Sequence, residues 1–276
     1  MIISWKKRGG NKSSRRSWER EGDNLSILEE RSHLLTMKDD FFIQEAYKTL
    51  RSNVIFSLTG EEESKVIQVT SAMASEGKST TTVNLAISFA MTDRKVLLID
   101  CDMRRPKLAS LLELKGSPGL SNVLVDAKLV EQAISPTSVP KLHVMTAGDI
   151  PPNPSELLGS KRMAALLEEM RKLYDYIILD TPPVNVVTDS VVLASRVGSD
   201  GVLFVVRAGH SERWSVQQAT EQLEYAKVKV LGFVLNGVDA DWGRSGKYGY
   251  RKYKRYGYGY GYESHSDGHK EESEGE

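Results

Sequence analysis

The segment VIQVTSAMASEGKSTTT, residues 66–82, constrains the fold more than any other stretch of this sequence. The apolar residues at its start are typical of a buried strand, and residues 81–91 carry apolar side chains at helical spacing. The polar residues between them must therefore form a loop that leads from a strand into the N-terminus of a helix. Such a loop favours anions, because the first amides of the helix lack intrahelical partners and carry partial positive charge.

The residue types in this loop predict a binding site for a nucleotide with Mg²⁺. Lys78 supplies a full positive charge to the β- and γ-phosphates, and the hydroxyl of Ser79 can ligate Mg²⁺. The spacing is Ala72-x₄-Gly77-Lys78-Ser79, in which alanine replaces the usual first glycine. A turn that binds nothing would leave the lysine and the run of hydroxyls unexplained. The residues predicted to contact the nucleotide here are Ser75, Glu76, Gly77, Lys78, Ser79 and Thr80.

From residue 66 onward, apolar runs alternate with helix-like segments. Strands are predicted over residues 66–70, 95–99, 142–146, 176–180, 201–206 and 229–235, and helices near residues 79–92, 107–113, 155–173, 188–197 and 211–226. This alternation predicts an α/β fold, in which a mostly parallel sheet is covered by helices on both faces. Ligands of such sheets bind at the carboxyl ends of the strands, so the loops that follow the strands should carry the chemistry.

Two of these loops carry aspartates. The segment VLLIDCDMRRP places Asp100, Asp102 and Arg104 directly after an apolar strand. The segment YIILDTPP places Asp180 after another strand. A single aspartate after a strand is usually a turn former or a helix cap. Three aspartates at the same edge of the sheet as the lysine loop predict a shared site for Mg²⁺ and nucleotide, where a carboxylate also accepts a proton during phosphoryl transfer.

The ends of the chain differ in composition from its centre. The net charge is zero, yet residues 1–20 hold seven Lys or Arg against one acid, residues 244–255 hold six basic residues and no acid, and residues 263–276 hold six acids. We therefore predict a basic, disordered tail over residues 1–37, a catalytic domain over residues 38–240 and a disordered, tyrosine-rich tail over residues 241–276.

The sequence also favours a cytoplasmic location. No apolar run approaches the roughly 18 residues needed to span a bilayer, and the N-terminal segment lacks the apolar core of a signal peptide. The single cysteine, Cys101, excludes an internal disulfide and is expected to pack as a small buried side chain.

Residues 243–262 interleave tyrosine with glycine and basic residues, a composition that prevents a core. The aromatic rings could stack on single-stranded nucleic acid. Alternatively, the tyrosines are phosphate acceptors, whose modification would turn a basic tail neutral or negative. A low-complexity tail without a function is the third alternative. The tyrosines concerned are Tyr248, Tyr250, Tyr253, Tyr256, Tyr258, Tyr260 and Tyr262.

Residues 40–58 predict an amphipathic helix before the first strand of the domain. Its polar face carries Glu45, Lys48 and Arg51 on neighbouring turns, where they could pair with each other or contact another chain. Its apolar face is formed by Phe42, Ala46, Leu50, Val54 and Leu58.

In combination, these motifs resemble those of the bacterial tyrosine kinases of capsular and exopolysaccharide synthesis. The resemblance runs from about residue 40 to the C-terminus and covers the lysine loop, the DCDMRRP and ILDTPP segments, NPSELL at residues 153–158 and the tyrosine cluster. It implies a P-loop fold related to partition and septum-site ATPases, and an enzyme that uses ATP and Mg²⁺ to phosphorylate tyrosine.

The geometry inferred from these motifs also predicts roles for individual residues. Lys78 and the loop amides neutralise the γ-phosphoryl charge, and Ser79 binds Mg²⁺ directly. Asp102 and Asp180 hold the ion through water. Asp100 orients or deprotonates the incoming phenol, although the sequence leaves open whether Asp100 or Asp102 is the base. The further expected site residues are Arg104, as part of the catalytic set, and Asn236, which the resemblance places at the adenine.

A ring-shaped homo-oligomer is a further implication, in which the tail of one subunit enters the site of its neighbour. The interface motif Glu-x-x-Arg-x-x-Arg of the family matches at Glu45 and Arg51, while Lys48 replaces the middle arginine and loses its two-point pairing. The implied partners are a separate membrane protein that activates the kinase and recruits it to the inner face of the cell membrane, a cognate tyrosine phosphatase and protein substrates of polysaccharide synthesis, with no nucleic acid.

Two other functions remain as alternatives. A partition or septum-site ATPase would share the fold, but that group carries a second lysine five residues before the loop lysine, where this chain has Met73, and lacks a tyrosine tail. A regulator that binds nucleic acid would use the basic aromatic tail.

Overall fold

The computed structural model describes residues 2–4, 27–36, 39, 41–58 and 64–238. The strands are β1 Ile2–Ser4, β2 Lys65–Ser71, β3 Val96–Asp100, β4 Ile134–Pro136, β5 Leu142–Met145, β6 Tyr176–Asp180, β7 Gly201–Arg207 and β8 Val230–Val238. The α-helices are α1 Phe41–Ser57, α2 Lys78–Ala90, α3 Leu108–Leu112, α4 Leu120–Val125, α5 Val130–Ala133, α6 Pro154–Leu158, α7 Lys161–Arg171, α8 Asp189–Leu193 and α9 Arg213–Tyr225. All six predicted strands are present.

The strands that the structure describes form a single sheet in the order β1-β8-β7-β2-β6-β3-β5-β4. All neighbouring strands in it are parallel except β4 and β5, which are antiparallel. The predicted α/β fold is therefore confirmed. Because β2 lies between β6 and β7, the loop that follows it emerges between the loops that follow its two neighbours.

The central strands are mostly apolar because the sheet is covered on both faces, and the polar side chains of Gln68 and Thr70 in β2 are fully buried as well. In β2, Ile67 and Val69 belong to the core beneath α1 and α2, whereas Val66 belongs to the core on the opposite face, which α7 covers. A strand with two buried faces has no side exposed to solvent, so it appears in the sequence as a largely apolar run without strict alternation of apolar and polar residues.

The segment predicted as one helix over residues 155–173 forms two helices, α6 and α7, so this prediction is wrong. Gly159 ends α6, and the hydroxyl of Ser160 caps α7 by accepting a hydrogen bond from the amide of Met163 at 3.2 Å. A Cβ at position 159 would lie 2.6 Å from the Cγ1 of Val192. The break lets the chain pass close to α8.

Helix α1 is present as predicted, but its buried face is displaced from the predicted one. Leu50 and Val54 are buried, as expected, whereas Phe42 is 69% exposed. Tyr47 is fully packed in its place, and its hydroxyl accepts a hydrogen bond from the amide of Asn84 at 3.1 Å. The sequence pattern missed Tyr47 because a phenol can be buried only where tertiary structure supplies a polar partner.

Residues 27–36 pack against the domain, so the predicted assignment of disorder to residues 1–37 does not hold for this segment. Leu35 is 4% exposed, and its amide donates to the side-chain oxygen of Asn84 at 2.7 Å. Arg31 donates to the carbonyl of Ser110 and pairs with Glu113. Strand β1 adds to the edge of the sheet beside β8. Both contacts join parts of the chain that are far apart in sequence, which composition alone does not reveal.

No helix among residues 27–36, 41–58 and 64–238 is long and apolar enough to cross a membrane. The tyrosine-rich segment over residues 243–262 lies outside the described residues. Cys101 is buried at the end of β3, and burial raises the pKa of its thiol, as expected for a packed side chain.

Candidate active site

The predicted phosphate loop connects β2 to α2, as the sequence requires. Helix α2 begins at Lys78, and the residue before it, Gly77, adopts a left-handed conformation with φ of 84°. Ser75 is left-handed as well, with φ of 64°. These turns bring the chain round to the N-terminus of a thirteen-residue helix, whose first amides and dipole favour a bound phosphate.

Side chains that the sequence analysis did not single out hold this loop in place. Both carboxylate oxygens of Glu76 are engaged, one by the amide of Met73 at 3.0 Å and the other by the hydroxyl of Ser211. Arg207, the last residue of β7, donates to the carbonyl of Ser75 at 2.8 Å. The loop therefore has a fixed shape in this chain, set in part by a neighbouring loop more than 100 residues later in the sequence.

Asn236, predicted to contact adenine, lies against the phosphate loop. Its amide nitrogen donates to the carbonyl of Glu76 at 3.1 Å. The contact is so close that a Cβ at Gly77 would lie 1.8 Å from that nitrogen. Gly77 thus serves two needs, a left-handed φ and room for the side chain of Asn236.

Lys78 lies where the sequence places it, among the predicted carboxylates. Its ammonium nitrogen is 2.7 Å from Asp180 Oδ1 and 3.8 Å from Asp102 Oδ2. It also lies 3.2 Å from the hydroxyl oxygen of Ser79. Burial lowers the pKa of Lys78, but the charges of Asp180 and Asp102 outweigh it, so the net pKa is raised and the side chain stays cationic.

Asp100 is directly opposite Asp180 in the register of β3 and β6, and it is fully buried. Burial, followed by repulsion from Asp180, raises the pKa of Asp100 to about 8. Its carboxylate accepts hydrogen bonds from three backbone amides, those of Asp102 at 3.1 Å, Lys107 at 3.1 Å and Leu108 at 3.0 Å. Asp100 therefore anchors the loop between β3 and α3.

Asp102 lies nearer the opening of the site. It is 8% exposed, and one of its oxygens accepts from the amide of Arg105 at 3.0 Å. Burial raises its pKa, while the charge of Lys78 opposes the shift. Its other oxygen faces Lys78, so this carboxylate is reachable both from the phosphate loop and from solvent.

The described residues fit a magnesium ion that is shared with a nucleotide. Among them no cluster of three or more His, Cys, Asp or Glu side chains could hold a metal alone. Mg²⁺ in nucleotide sites typically takes only one or two protein ligands, together with phosphate oxygens and water. Asp180 Oδ2 is buried and has no hydrogen-bond partner among the described residues, which leaves it free for the ion or its water.

Arg104, predicted as part of the catalytic set, is held by a residue that the sequence analysis missed. Its Nε donates to Asp189 Oδ2 at 2.9 Å, and its Nη2 donates to Asp189 Oδ1 at 3.2 Å. The hydroxyl of Ser155 donates to the same carboxylate. Asp189 begins α8, and only the tertiary structure brings it to Arg104, 85 residues earlier.

The predicted interface residues are on α1, away from the lysine loop. Glu45 and Lys48 form an ion pair of 2.7 Å with each other. Arg51 donates to the carbonyl of Ser88 in α2, and burial lowers its pKa. Within the described residues, Glu45 and Lys48 therefore pair with each other, and Arg51 is held by a backbone carbonyl. The seven predicted acceptor tyrosines lie outside the described residues.

Comparison with known proteins agrees with this site. The family model of the AAA domain matches residues 64–229. Tyrosine-protein kinase YwqD of Bacillus subtilis (strain 168) is 40% identical over 206 residues, which cover 75% of this chain and 85% of that protein. Tyrosine-protein kinase CpsD of Streptococcus agalactiae is 38% identical over 216 residues, which cover 77% of this chain and 92% of that protein.

Solved structures agree as well. The chimerical protein CapA2B2 aligns with a TM-score of 0.70 at 34% identity, covering 75% of this chain and 91% of that chain. The kinase domain of the Escherichia coli tyrosine kinase ETK aligns with a TM-score of 0.68 at 35% identity, covering 75% of this chain and 80% of that chain. The cell division ATPase MinD of Pyrococcus furiosus aligns with a TM-score of 0.53 at 25% identity, covering 66% of this chain and 73% of that chain.

The fold, together with the lysine loop and the carboxylates that converge on it, defines the class of the protein. It is a P-loop nucleotide-binding protein of the structural class that includes the septum-site ATPases. Within that class, the chain belongs to the bacterial tyrosine kinases, and it is a protein-tyrosine kinase. The resemblance identified from the sequence is confirmed. The alternative of a partition or septum-site ATPase is less favoured, because the tyrosine kinases are closer in both sequence and structure.

Proposed function

We propose that this kinase transfers the γ-phosphoryl group of ATP to its own C-terminal tyrosines, in trans within a homo-oligomer, and thereby regulates the synthesis and export of capsular or extracellular polysaccharide. The observation that carries the proposal is the convergence of oxygen atoms on the ammonium nitrogen of Lys78 at one edge of the sheet. The nearest side-chain oxygens of Ser79, Asp102 and Asp180 lie 2.7 to 3.8 Å from that nitrogen. The acceptors are the seven tyrosines between Tyr248 and Tyr262.

The proposed chemistry depends mainly on position and charge. Lys78 and the amides of the phosphate loop hold the β- and γ-phosphates and balance the charge that spreads over the γ-oxygens. Ser79 would hold Mg²⁺ directly, and Asp102 and Asp180 would hold it through water. The chemistry that the ion would supply at this site is screening of the phosphate charges.

For the proton of the phenol, the geometry favours Asp102 over Asp100 as the acceptor. Both oxygens of Asp100 are already occupied by backbone amides, and the side chain has no exposed surface. Asp102 is partly accessible. Because the transition state is loose, the phenol loses its proton late, so a carboxylate of modest basicity suffices. Asp100 would then act by holding the loop that carries Asp102.

We further propose that the oligomer is a ring and that α1 lies at its interface. Besides the charged residues Glu45, Lys48 and Arg51, α1 exposes Phe41, at 68%, and Phe56, at 84%. Exposed aromatic side chains of this size are typical of contact surfaces. The proposed partners are a separate membrane protein of polysaccharide export that activates the kinase and recruits it to the inner face of the membrane, a cognate tyrosine phosphatase and protein substrates of the same pathway.

The central test is the substitution Lys78→Met. It removes the charge that the phosphates require, so we expect no phosphate on the tail after incubation with ATP and Mg²⁺, as measured by mass-spectrometric mapping of phosphosites. The matched control is Lys172→Met, because Lys172 is an exposed lysine that, among the described residues, forms an ion pair with Glu169 of α7. This control should label as the wild type does. Retained phosphotransfer in Lys78→Met would contradict the assignment of the site.

Transfer in trans is tested by mixing two variants, neither of which can phosphorylate its own tail. The first is Lys78→Met with an intact tail, and the second is an active chain in which all seven tail tyrosines are changed to phenylalanine. If the reaction is intermolecular, the tail of Lys78→Met becomes phosphorylated only in the mixture. An unlabelled tail in the mixture, alongside a labelled wild-type control, would show that the reaction is intramolecular.

A further inference from the structure

Asp189 is a buried carboxylate to which the proposed mechanism gives no role. It has no exposed surface, and both of its oxygens are engaged by Arg104, in the loop after β3, and by the hydroxyl of Ser155, in α6. A buried carboxylate is costly unless it is paired and hydrogen-bonded. This carboxylate joins three separate segments at one edge of the active site.

The contact between Asp189 and Arg104 fixes a direction as well as a distance. Two parallel hydrogen bonds from one guanidinium to one carboxylate allow a single orientation of the planar group. The Arg104 side chain remains 42% exposed, and its Nη1 makes no hydrogen bond to the described residues. One edge of the guanidinium is therefore held by Asp189, and the remaining nitrogen faces outward.

Arg104 is also within the electrostatic field of the active site. The hydrogen bond that Arg104 donates to Asp189 is the largest cause of the raised pKa of Arg104, and the charge of Asp102 contributes to the same shift. Asp102 is only two residues away on the same loop. Without Asp189, the guanidinium of Arg104 would be free to turn towards the carboxylate of Asp102. It would then neutralise the charge of Asp102, the residue proposed to hold the metal and accept the proton.

We propose that Asp189 is a positioning residue for phosphoryl transfer, because it holds the guanidinium of Arg104 in one orientation beside the reacting groups and away from Asp102. The inference rests on the proposed kinase function and on the catalytic role that the sequence predicts for Arg104. Asp189 touches neither nucleotide nor acceptor in this arrangement. Its effect passes through Arg104, with Ser155 as the second support of the same carboxylate.

The test is Asp189→Asn, which keeps the volume and removes the charge. We expect kcat for phosphorylation of the full chain to fall by about 10- to 100-fold, the loss typical of a displaced catalytic group. The KM for ATP and the Kd for ADP should stay within about threefold, because the phosphate loop is untouched. The matched control is Asp200→Asn, since Asp200 pairs with Arg171 at 3.1 Å at the opposite end of the sheet. This control should keep kcat.

A double-mutant cycle separates positioning from a general structural role. If Asp189 acts through Arg104, the variant Asp189→Asn with Arg104→Gln should be no slower than Arg104→Gln alone. Losses of kcat that multiply in the double variant would overturn the inference, as would a kcat of Asp189→Asn within twofold of the wild type.

Arg104→Lys gives a second test that does not disturb a buried residue. It keeps the positive charge and loses the two-point contact, so kcat should fall towards the value of Arg104→Gln. Full activity of Arg104→Lys would overturn the inference, because orientation would then be unnecessary. If Arg104→Gln is itself fully active, the proposed role of Arg104 fails and this inference fails with it, whereas the assignment of Lys78 is unaffected.

Discussion

Gly77 illustrates how a single residue can link two separate parts of the nucleotide site. Its left-handed backbone starts α2, and its missing side chain admits the amide of Asn236 from the end of β8. An L-residue at this position would strain the backbone by roughly 1 kcal/mol. It would also displace Asn236 and break the hydrogen bond that Asn236 donates to the carbonyl of Glu76.

We therefore expect Gly77→Ala to weaken ADP binding by about tenfold or more, equivalent to the loss of one good hydrogen bond with added strain. Isothermal titration calorimetry with Mg²⁺ and ADP measures the effect. Gly198→Ala is the matched control, because Gly198 has φ of 83° but no atom within 4 Å of the added Cβ. If both variants bind ADP equally well, the contact with Asn236 does not shape the loop.

The sequence predicted the site residues whose signal is local. Lys78 and Asp180 follow apolar strands at a fixed spacing, and parallel strands necessarily bring such residues to one edge. Asp189 has no such signal, because its place in the site depends on a contact with Arg104, which lies 85 residues earlier in the sequence. For Asp100, the sequence placed the residue correctly but could not show that three backbone amides occupy its carboxylate.

At the scale of elements, the strands with two buried faces were the most predictable parts of the chain. Strands β1 and β4 were missed because each has only three residues and borders the sheet, so neither carries a recognisable apolar run. For helix α1, Leu50 and Val54 were predicted correctly in the buried face, but Phe42 is exposed and Tyr47 was missed, because Tyr47 is buried only where Asn84 in α2 supplies a hydrogen-bond partner.

The segment over residues 27–36 should contribute measurably to stability, although its sequence resembles a tail. Leu35 is in the core formed by α1 and α2. We expect Leu35→Ala to lower the free energy of unfolding by about 2 to 3 kcal/mol, the usual loss for a buried leucine. Urea unfolding followed by circular dichroism measures it.

Leu28→Ala is the control for this prediction, because Leu28 lies in the same segment but is 56% exposed. Its effect should stay within about 0.5 kcal/mol. Equal losses of stability for the two variants would mean that Leu35 is not a core residue in solution.

At the scale of the whole molecule, phosphorylation of the tail should change the assembly. Each phosphate adds nearly two negative charges to a basic segment, which would then be repelled by the acidic catalytic site of a neighbouring subunit. We expect the phosphorylated form to have a lower mass in size-exclusion chromatography with light scattering than the variant with all seven tail tyrosines changed to phenylalanine. Equal masses would argue against a ring held by its tails.

The order of the strands also determines when the enzyme can first bind ATP during its synthesis. Strand β2 is bordered by β6 and β7, which begin only at Tyr176 and Gly201, and the phosphate loop is held by Asn236, later still. A nascent chain that has emerged only as far as α5 carries the lysine without the neighbours that give the loop its shape. We therefore expect nucleotide binding to begin only after β8 has been translated, so that a nascent chain without β6, β7 and β8 does not yet hold its phosphate donor.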